Sequence, residues 1–358
     1  MSTQKRALVM YSPASGRANQ LPQALQALRA CGMEIVHTIP VNDLPPQPAQ
    51  GQSWHEQGIE VVIAAGGDGV IGSVINQIAG SPLSLGILPL GTSNDIARSL
   101  DIPLDPDHAA RVIADGQTRR IDLGVARPYN AANPSAGQTP ESAAPLYGYF
   151  AHVLTIGLNV KFAQIATNVA TRRRYGRLTY PVAALEVLRN PEVLPVHLQF
   201  EGLRLPPHPA KQHLTNKDEP MEATLNCRAL QVTIVNAPIF GGPWHLTLPG
   251  SSLEDEVLDI VVFEEFGPGR LSARLASLFN SPPLEIDQSE EDEAVGKFIH
   301  HPAELSGLPG LHHLQARAIT ITTERDPRPI TLDGEIRGQT PLSVELAKHF
   351  LPVLAPAR

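Results

Sequence analysis

Apolar positions in the first hundred residues alternate between two spacings. Arg6–Tyr11, Glu34–Val41, Glu60–Ala65 and Leu85–Leu88 are short runs rich in apolar residues and read as buried strands. Between them, Leu21, Ala24, Leu25 and Leu28 recur at helical spacing, with Gly32 as a stop. Ile71, Val74, Ile75 and Ile78 follow i, i+3, i+4, i+7 and predict a second helix. A third starts after Thr92, which is expected to cap it, with Asp95 at the third helical position and Ile96 and Leu100 facing inward. Strands alternating with helices predict a parallel sheet covered by helices, a doubly wound α/β arrangement.

The texture changes after about Asp122. Phe150–Ile156, Val196–Phe200, Leu230–Asn236, Leu258–Glu264, Ala318–Thr323 and Ile330–Leu332 read as short strands, with one helical stretch around Leu178–Leu188. These predict a larger, β-rich sandwich as a second domain. Residues 128–145, 206–221 and 282–294 lack periodicity and read as surface insertions.

Composition narrows the classes. The chain has 358 residues, which suggests two domains, and 34 of them are Pro, roughly twice the usual share. No apolar run is long enough for a spanning helix, and the start of the chain carries no signal-peptide core. Two isolated cysteines, Cys31 and Cys227, indicate neither a zinc site nor a disulfide framework, so a cytoplasmic chain is expected. A net charge of −8 argues against nucleic acid as a partner. The charge is uneven: residues 251–300 hold twelve acids against three bases, whereas Arg172-Arg173-Arg174 and Arg177 form a basic run suited to anionic lipid.

Two loops carry the chemistry. Gly66-Gly67-Asp68-Gly69 lies between a strand and a helix, where glycines let backbone N–H groups approach a phosphate. An aspartate inside such a loop suggests a cation between carboxylate and phosphate. Pro89-Leu90-Gly91-Thr92-Ser93-Asn94-Asp95 repeats the geometry one strand on. Two such loops at the carboxyl ends of parallel strands define a ligand crevice.

With Ser12-Pro13-Ala14-Ser15-Gly16 ahead of them and Asp333-Gly334-Glu335 far behind, the chain resembles the diacylglycerol kinase catalytic-domain family, in particular the soluble bacterial lipid kinases. Asn236, Gly241-Gly242 and the run from Leu248 to Asp259 resemble the family's second-domain signature. The resemblance implies a nucleotide-binding domain at 1–122 with a C-terminal return near 343–358, a lipid domain at 123–342, and an active site between them. It implies ATP and Mg²⁺ as cofactors and a lipid hydroxyl at the membrane surface as acceptor, reached by transient peripheral contact; a homodimer stays open. Nucleotide contacts would come from Ser12, Ser15, Gly16, Thr38, Gly66, Gly67, Asp68, Gly69, Gly91, Thr92 and Asn94. Asp68, Asp95 and Glu335 would organise Mg²⁺. Asp333 or Glu335 would take the hydroxyl proton, and Asp255 with the backbone of Ser252 and Val257 would form a second, structural Mg²⁺ loop.

The sequence departs from that family's pattern at several places. Val70 stands where a Thr usually follows the glycines, Ser12 where an Asn is usual, and Asp255-Glu256 where Asp-Gly is usual. Two other readings therefore stay open: an NAD kinase-like phosphotransferase on a soluble acceptor, and a nucleotide-binding regulatory protein without turnover. His300-His301 and His312-His313 read as loop and surface histidines, and Trp54 and Trp244 as packing residues.

Overall fold

The computed structural model describes residues 4–44, 49–130, 146–167, 187, 191–204, 221–240, 246–248, 250–265, 310–325 and 327–357. The predicted helix at 178–188 (Val187 aside), the Arg172–Arg177 run, Gly241-Gly242, Trp244, His300-His301 and most of the three insertions lie outside the described residues.

The first sheet follows the predicted alternation: β1 (Arg6–Tyr11), α1 (Leu21–Ala30), β2 (Glu34–Pro40), α2 (Gly51–Glu56), β3 (Val61–Gly66), α3 (Asp68–Ile78), β4 (Ser84–Pro89), α4 (Asp95–Ser99), α5 (Pro106–Asp115) and β5 (Gln117–Ile121). The β3 strand is buried along its whole length, which explains its unbroken apolar run. The strands order as β2-β1-β3-β4, all parallel, and the core includes Leu8, Ile63, Ile71, Ile75 and Ile87. Trp54 packs against this core.

The chain then builds an antiparallel sheet from β6 (Gly124–Pro128), β7 (Gly148–Phe150), β8 (Val153–Gly157), β9 (Leu194–Leu203) and β10 (Met221–Val235). The helix α6 (Leu158–Thr167) and a small ribbon, β11 (Ile239–Phe240) with β12 (Leu246–Thr247), interrupt it. The sheet continues with β13 (Leu258–Glu264), β14 (Leu311–Ala316), β15 (Ala318–Thr323), β16 (Pro329–Leu332), β17 (Glu335–Gln339) and β18 (Leu342–Leu346). Alternating residues such as Leu198 and Phe200 of β9, and Ile319 and Ile321 of β15, fill a second core. The final strand, β19 (Leu351–Ala355), leaves this sheet and enters the first, parallel to β4 and antiparallel to β5.

Three expectations need correction. The predicted strand Phe150–Ile156 is two strands, broken at Ala151-His152, because the amides there turn toward the Asp333 side chain. Thr92 does not cap α4: the cap position is Asn94, in the left-handed region at φ 55°, and a carboxylate from another loop supplies the acceptors. His312 and His313 are not surface loop residues. They lie on β14, and, as adjacent strand residues do, they part to opposite faces, His312 onto Glu264 at 2.9 Å and His313 onto Asp259 at 2.7 Å.

Candidate active site

Three loops leave the carboxyl ends of β1, β3 and β4 and meet backbone to backbone. A Cβ placed on Gly91 would sit 2.3 Å from Gly67 Cα, so the second and third loops touch where neither residue has a side chain. A Cβ on Gly66 would meet Val70, and Ser15 Oγ at 3.0 Å; one on Gly16 would meet Thr92 Oγ1 at 2.9 Å. The first loop is therefore held against the other two. Arg17 fastens it: its N–H donates to Leu90 O at 2.9 Å, and its guanidinium to Leu104 O at 3.1 Å and to Pro89 O. Sequence reading missed Arg17, since a lone arginine after a loop carries no distinguishing pattern.

Each loop is rigidified by its own residues. Ser12 Oγ accepts from Ala14 N at 3.2 Å. Asn94 closes the third loop on itself, accepting from Gly91 N and donating to Gly91 O, both at 2.9 Å. Asp68 bridges the second and third: Oδ2 accepts from Asp95 N at 3.2 Å and Oδ1 from Ile96 N at 3.0 Å. Placing a carboxylate on the first amides of α4 satisfies groups that no helical turn can reach. The amides of Gly67, Asp68 and Gly69, at the start of α3, donate to no acceptor among the described residues. A Cβ on Gly69 would meet nothing within 4 Å. Open amides at a helix N-terminus suit a phosphate. Val70, the departure noted above, is buried against Gly66. Thr38 stands exposed on the edge strand β2, away from β3 and β4.

The fourth part comes from the other sheet. Asp333-Gly334 is a two-residue hairpin turn between β16 and β17, with φ of 47° and 86° and Leu332 opposite Glu335. Both turn residues need positive φ, which explains the Asp-Gly pair. Asp333 is nevertheless more than a turn residue. It is buried; its Oδ1 accepts from His152 N and Val153 N, both at 3.0 Å, and its Oδ2 from Ala151 N at 3.2 Å. Burial pushes its carboxyl up from the usual aspartate range, against the opposing pull of His152 and of the three amides. A Cβ on Gly72 would lie 3.0 Å from Asp333 Oδ2, so α3 seats directly on this side chain. Asn76 pins the same helix, donating to Tyr149 O at 2.9 Å and accepting from Tyr149 N at 2.8 Å.

Glu335 faces the opening. One cleft is lined by Gly69, Ser73, Asn76, Asp333, Glu335 and Arg337, among others, so α3 and the Asp-Gly-Glu turn share a wall. Glu335 Oε2 accepts from Arg337 Nε at 3.0 Å and Nη2 at 2.5 Å. Asp95 is buried, with His152 Nε2 at 3.6 Å from its Oδ2. Asp68, Asp95 and Glu335 are not gathered into one metal cage; no group of three or more such ligands exists among the described residues.

The remaining predicted loop lies apart, between β12 and β13. Asp255 Oδ1 accepts from Val257 N at 3.3 Å, and Ser252 Oγ from Glu254 N at 3.2 Å. Burial, with Asp259 and Asp122 nearby, pushes the Asp255 carboxyl up to about 7 although Val257 N opposes it. Asp122, beyond the predicted set, accepts from Glu256 N at 2.8 Å, and its own carboxyl is raised by burial. Asn236 is buried and donates to Asp122 O at 2.8 Å and Ala151 O at 3.2 Å, tying this loop to the strand break beside Asp333.

Residues 6–126 match the Diacylglycerol kinase catalytic domain, and residues 152–355, more than half of the chain, match the YegS C-terminal NAD kinase beta sandwich-like domain. A protein named diacylglycerol kinase from Staphylococcus saprophyticus subsp. saprophyticus is 37% identical over 98% of this chain and 96% of its own. The chain belongs to the diacylglycerol kinase family. A second family member, named diacylglycerol kinase, from Staphylococcus aureus (strain JH9) is 32% identical over 42% of this chain; the match spans 51% of that protein. Two solved chains from Bacillus anthracis str. Sterne share the fold over 99% of this chain, with TM-scores of 0.62 and 0.56 at 19% and 17% identity; the latter is titled a diacylglycerol kinase. The two relatives are named as kinases, and the two sheets described above are the family's α/β and β-rich parts.

Proposed function

We propose that this chain is an ATP- and Mg²⁺-dependent lipid kinase that phosphorylates the hydroxyl of diacylglycerol or a related lipid. One observation carries the reading: Gly69, at the open amides of α3, and Glu335, on the hairpin of the other sheet, line the same cleft. A phosphoryl donor on the loops and a hydroxyl acceptor beside Glu335 would meet there.

In this reading the amides of Gly67, Asp68 and Gly69 hold phosphate oxygens, with Ser12, Ser15, Gly16, Gly66, Gly91, Thr92 and Asn94 shaping the cradle and Thr38 reaching the nucleoside end. Glu335 rather than Asp333 is the base. Asp333 has three amides on its two oxygens and is buried, whereas Glu335 is half-exposed at the opening and keeps Oε1 without a donor among the described residues. The acceptor hydroxyl gives its proton to Glu335 Oε1 while its oxygen bonds to the γ-phosphorus. The bond from that phosphorus to the β–γ bridging oxygen breaks, and its electron pair leaves with ADP. Such transfer depends mainly on positioning and charge neutralisation.

Mg²⁺ carried by a nucleotide needs one or two carboxylates beside the phosphates, not a complete protein cage. Asp68 and Asp95 are the candidates for that role: Asp68 sits at the head of α4 with its oxygens on the amides of Asp95 and Ile96, and the Asp95 carboxylate lies beside His152, with Oδ2 3.6 Å from Nε2. Bound there, Mg²⁺ would supply charge neutralisation for the phosphate oxygens. Asp255 with Ser252 and Val257 would hold the second, structural ion.

Residues 1–122 with the return near 343–358 would form the nucleotide domain and 123–342 the lipid domain. The acceptor would be captured by transient contact with a lipid surface from the cytoplasm; among the described residues no helix is long and apolar enough to cross a membrane. The test is transfer of label from γ-labelled ATP to an acceptor panel: diacylglycerol in phosphatidylglycerol vesicles, monoacylglycerol, and NAD, each with and without Mg²⁺. Label on diacylglycerol, abolished by EDTA and lowered about 10²–10⁴-fold by Glu335→Gln, is expected. Label on NAD alone would instead support a soluble acceptor, and nucleotide binding with no transfer a regulatory protein.

A further inference from the structure

We propose that Arg337 is a positioning residue of the active site: it fixes the rotamer of Glu335 and so aims the other carboxylate oxygen at the acceptor hydroxyl. This inference rests on the lipid-kinase reading above and assigns a role that the Asp-Gly-Glu segment does not include.

The geometry begins with the strand. Glu335 and Arg337 are two apart on β17, so their side chains leave on one face, while Ile336 between them leaves on the other and is exposed. The pairing of β16 with β17 slips here: Thr331 opposes Ile336, but Pro329 opposes Gln339, so β17 carries one extra residue across Arg337–Gly338. Gly338 has φ 78°, and a Cβ on it would lie 2.4 Å from the Tyr147 ring, so the irregularity is built around a position that accepts no side chain. A bulge of this kind bends its strand and re-aims the neighbouring side chain. Here that side chain is Arg337, which lines the cleft together with Gly69 and Ser73.

The hydrogen bonds divide the guanidinium in two. Nε and Nη2 both donate to a single oxygen, Glu335 Oε2. Glu335 Oε1 has no donor, and Arg337 Nη1 no acceptor, among the described residues. Clamping one carboxylate oxygen holds the other in a fixed direction, ready for the acceptor hydroxyl. A solvent-facing pair two residues apart adds little to stability, so the arrangement is better explained by the cleft than by folding.

The experiment uses the full chain and γ-labelled ATP with diacylglycerol in phosphatidylglycerol vesicles. Arg337→Gln is expected to lower kcat about 10²-fold, the loss associated with a misplaced reacting group. Thermal midpoint and ATP affinity by calorimetry should stay as in the wild type. Arg337→Lys, a point charge without the fork, should recover only part of the rate. Added guanidinium at millimolar concentration should raise the rate of Arg337→Ala and leave Glu335→Gln unchanged. The double variant Glu335→Gln/Arg337→Gln should be no slower than Glu335→Gln alone, within about threefold, since coupled residues are not additive. Wild-type kcat in Arg337→Gln, or fully multiplicative losses in the double variant, overturns this inference alone. A wild-type chain that transfers label to no acceptor overturns the kinase reading itself and the inference with it.

Discussion

A single methyl group distinguishes two glycines of the proposed phosphate site. At Gly91, a Cβ would stand 2.3 Å from Gly67 Cα, 2.8 Å from Gly67 N and 2.8 Å from Asn94 Oδ1. Two of these are backbone atoms that no rotamer change can withdraw. Reaching ordinary contact at 3.4 Å needs the second and third loops to separate by about 1 Å. Overpacking of this kind costs about 1–3 kcal/mol. A shift of about 1 Å in a positioning loop can also reduce rate by about 10²-fold. At Gly69 the same methyl would meet nothing within 4 Å; in the proposed phosphate site it would crowd an anion held by the α3 amides. Gly91→Ala is therefore expected to lower the thermal midpoint and weaken nucleotide binding together. Gly69→Ala should keep the wild-type midpoint and lose nucleotide affinity alone. Differential scanning calorimetry and titration calorimetry with ATP measure both. A Gly91→Ala chain with wild-type midpoint and affinity would refute the packed-loop argument. Normal ATP binding by Gly69→Ala would remove the phosphate from in front of α3.

Three further outcomes follow from the buried groups. Asp333→Asn keeps one acceptor oxygen but turns an amide NH₂ toward one of the three N–H donors, so it should cost about 1–3 kcal/mol in chemical denaturation, besides any loss of transfer; an unchanged unfolding midpoint would contradict its structural role. Because the folded chain holds the Asp255 proton up to about 7 whereas the unfolded aspartate releases it near 3.8, the folded state binds more protons across that window. Its stability should therefore fall as pH rises from about 4 to about 7 in EDTA, and Asp255→Asn should show a shallower fall; equal slopes by thermal melts would refute this. Burial, reinforced by Glu264, pushes the Cys227 thiol up to about 12, so native Cys227 should resist iodoacetamide at pH 8 and label only after unfolding, as peptide mass mapping would show.

How much of this was legible in the sequence varies by element. The strands β1, β3, β13 and β15 and the helix α3 were readable because each buries one face or both, and burial writes a period of its own into the residues. The glycine loops were readable because close backbone contact excludes every other residue type, as Gly67 and Gly91 do here. The break at Ala151-His152 was not, because its cause is a carboxylate some 180 residues away in sequence. The capping of α4 was misassigned to Thr92 for the same reason: the acceptor, Asp68, comes from a different loop. Histidines 312 and 313 looked like surface residues because their partners, Glu264 and Asp259, become neighbours only through the pairing of β13 with β14.

The sequence by itself determined the two classes of sheet, the glycine-rich loops and the Asp-Gly turn, since each depends on local φ preferences or on the period of burial. Only the tertiary structure decided the surroundings of the two carboxylates in that turn. Hydrogen-bond partners and burial arise from long-range packing: Asp333 is enclosed by amides of a neighbouring strand and by α3, whereas Glu335, two residues on, points to the opening under the grip of Arg337.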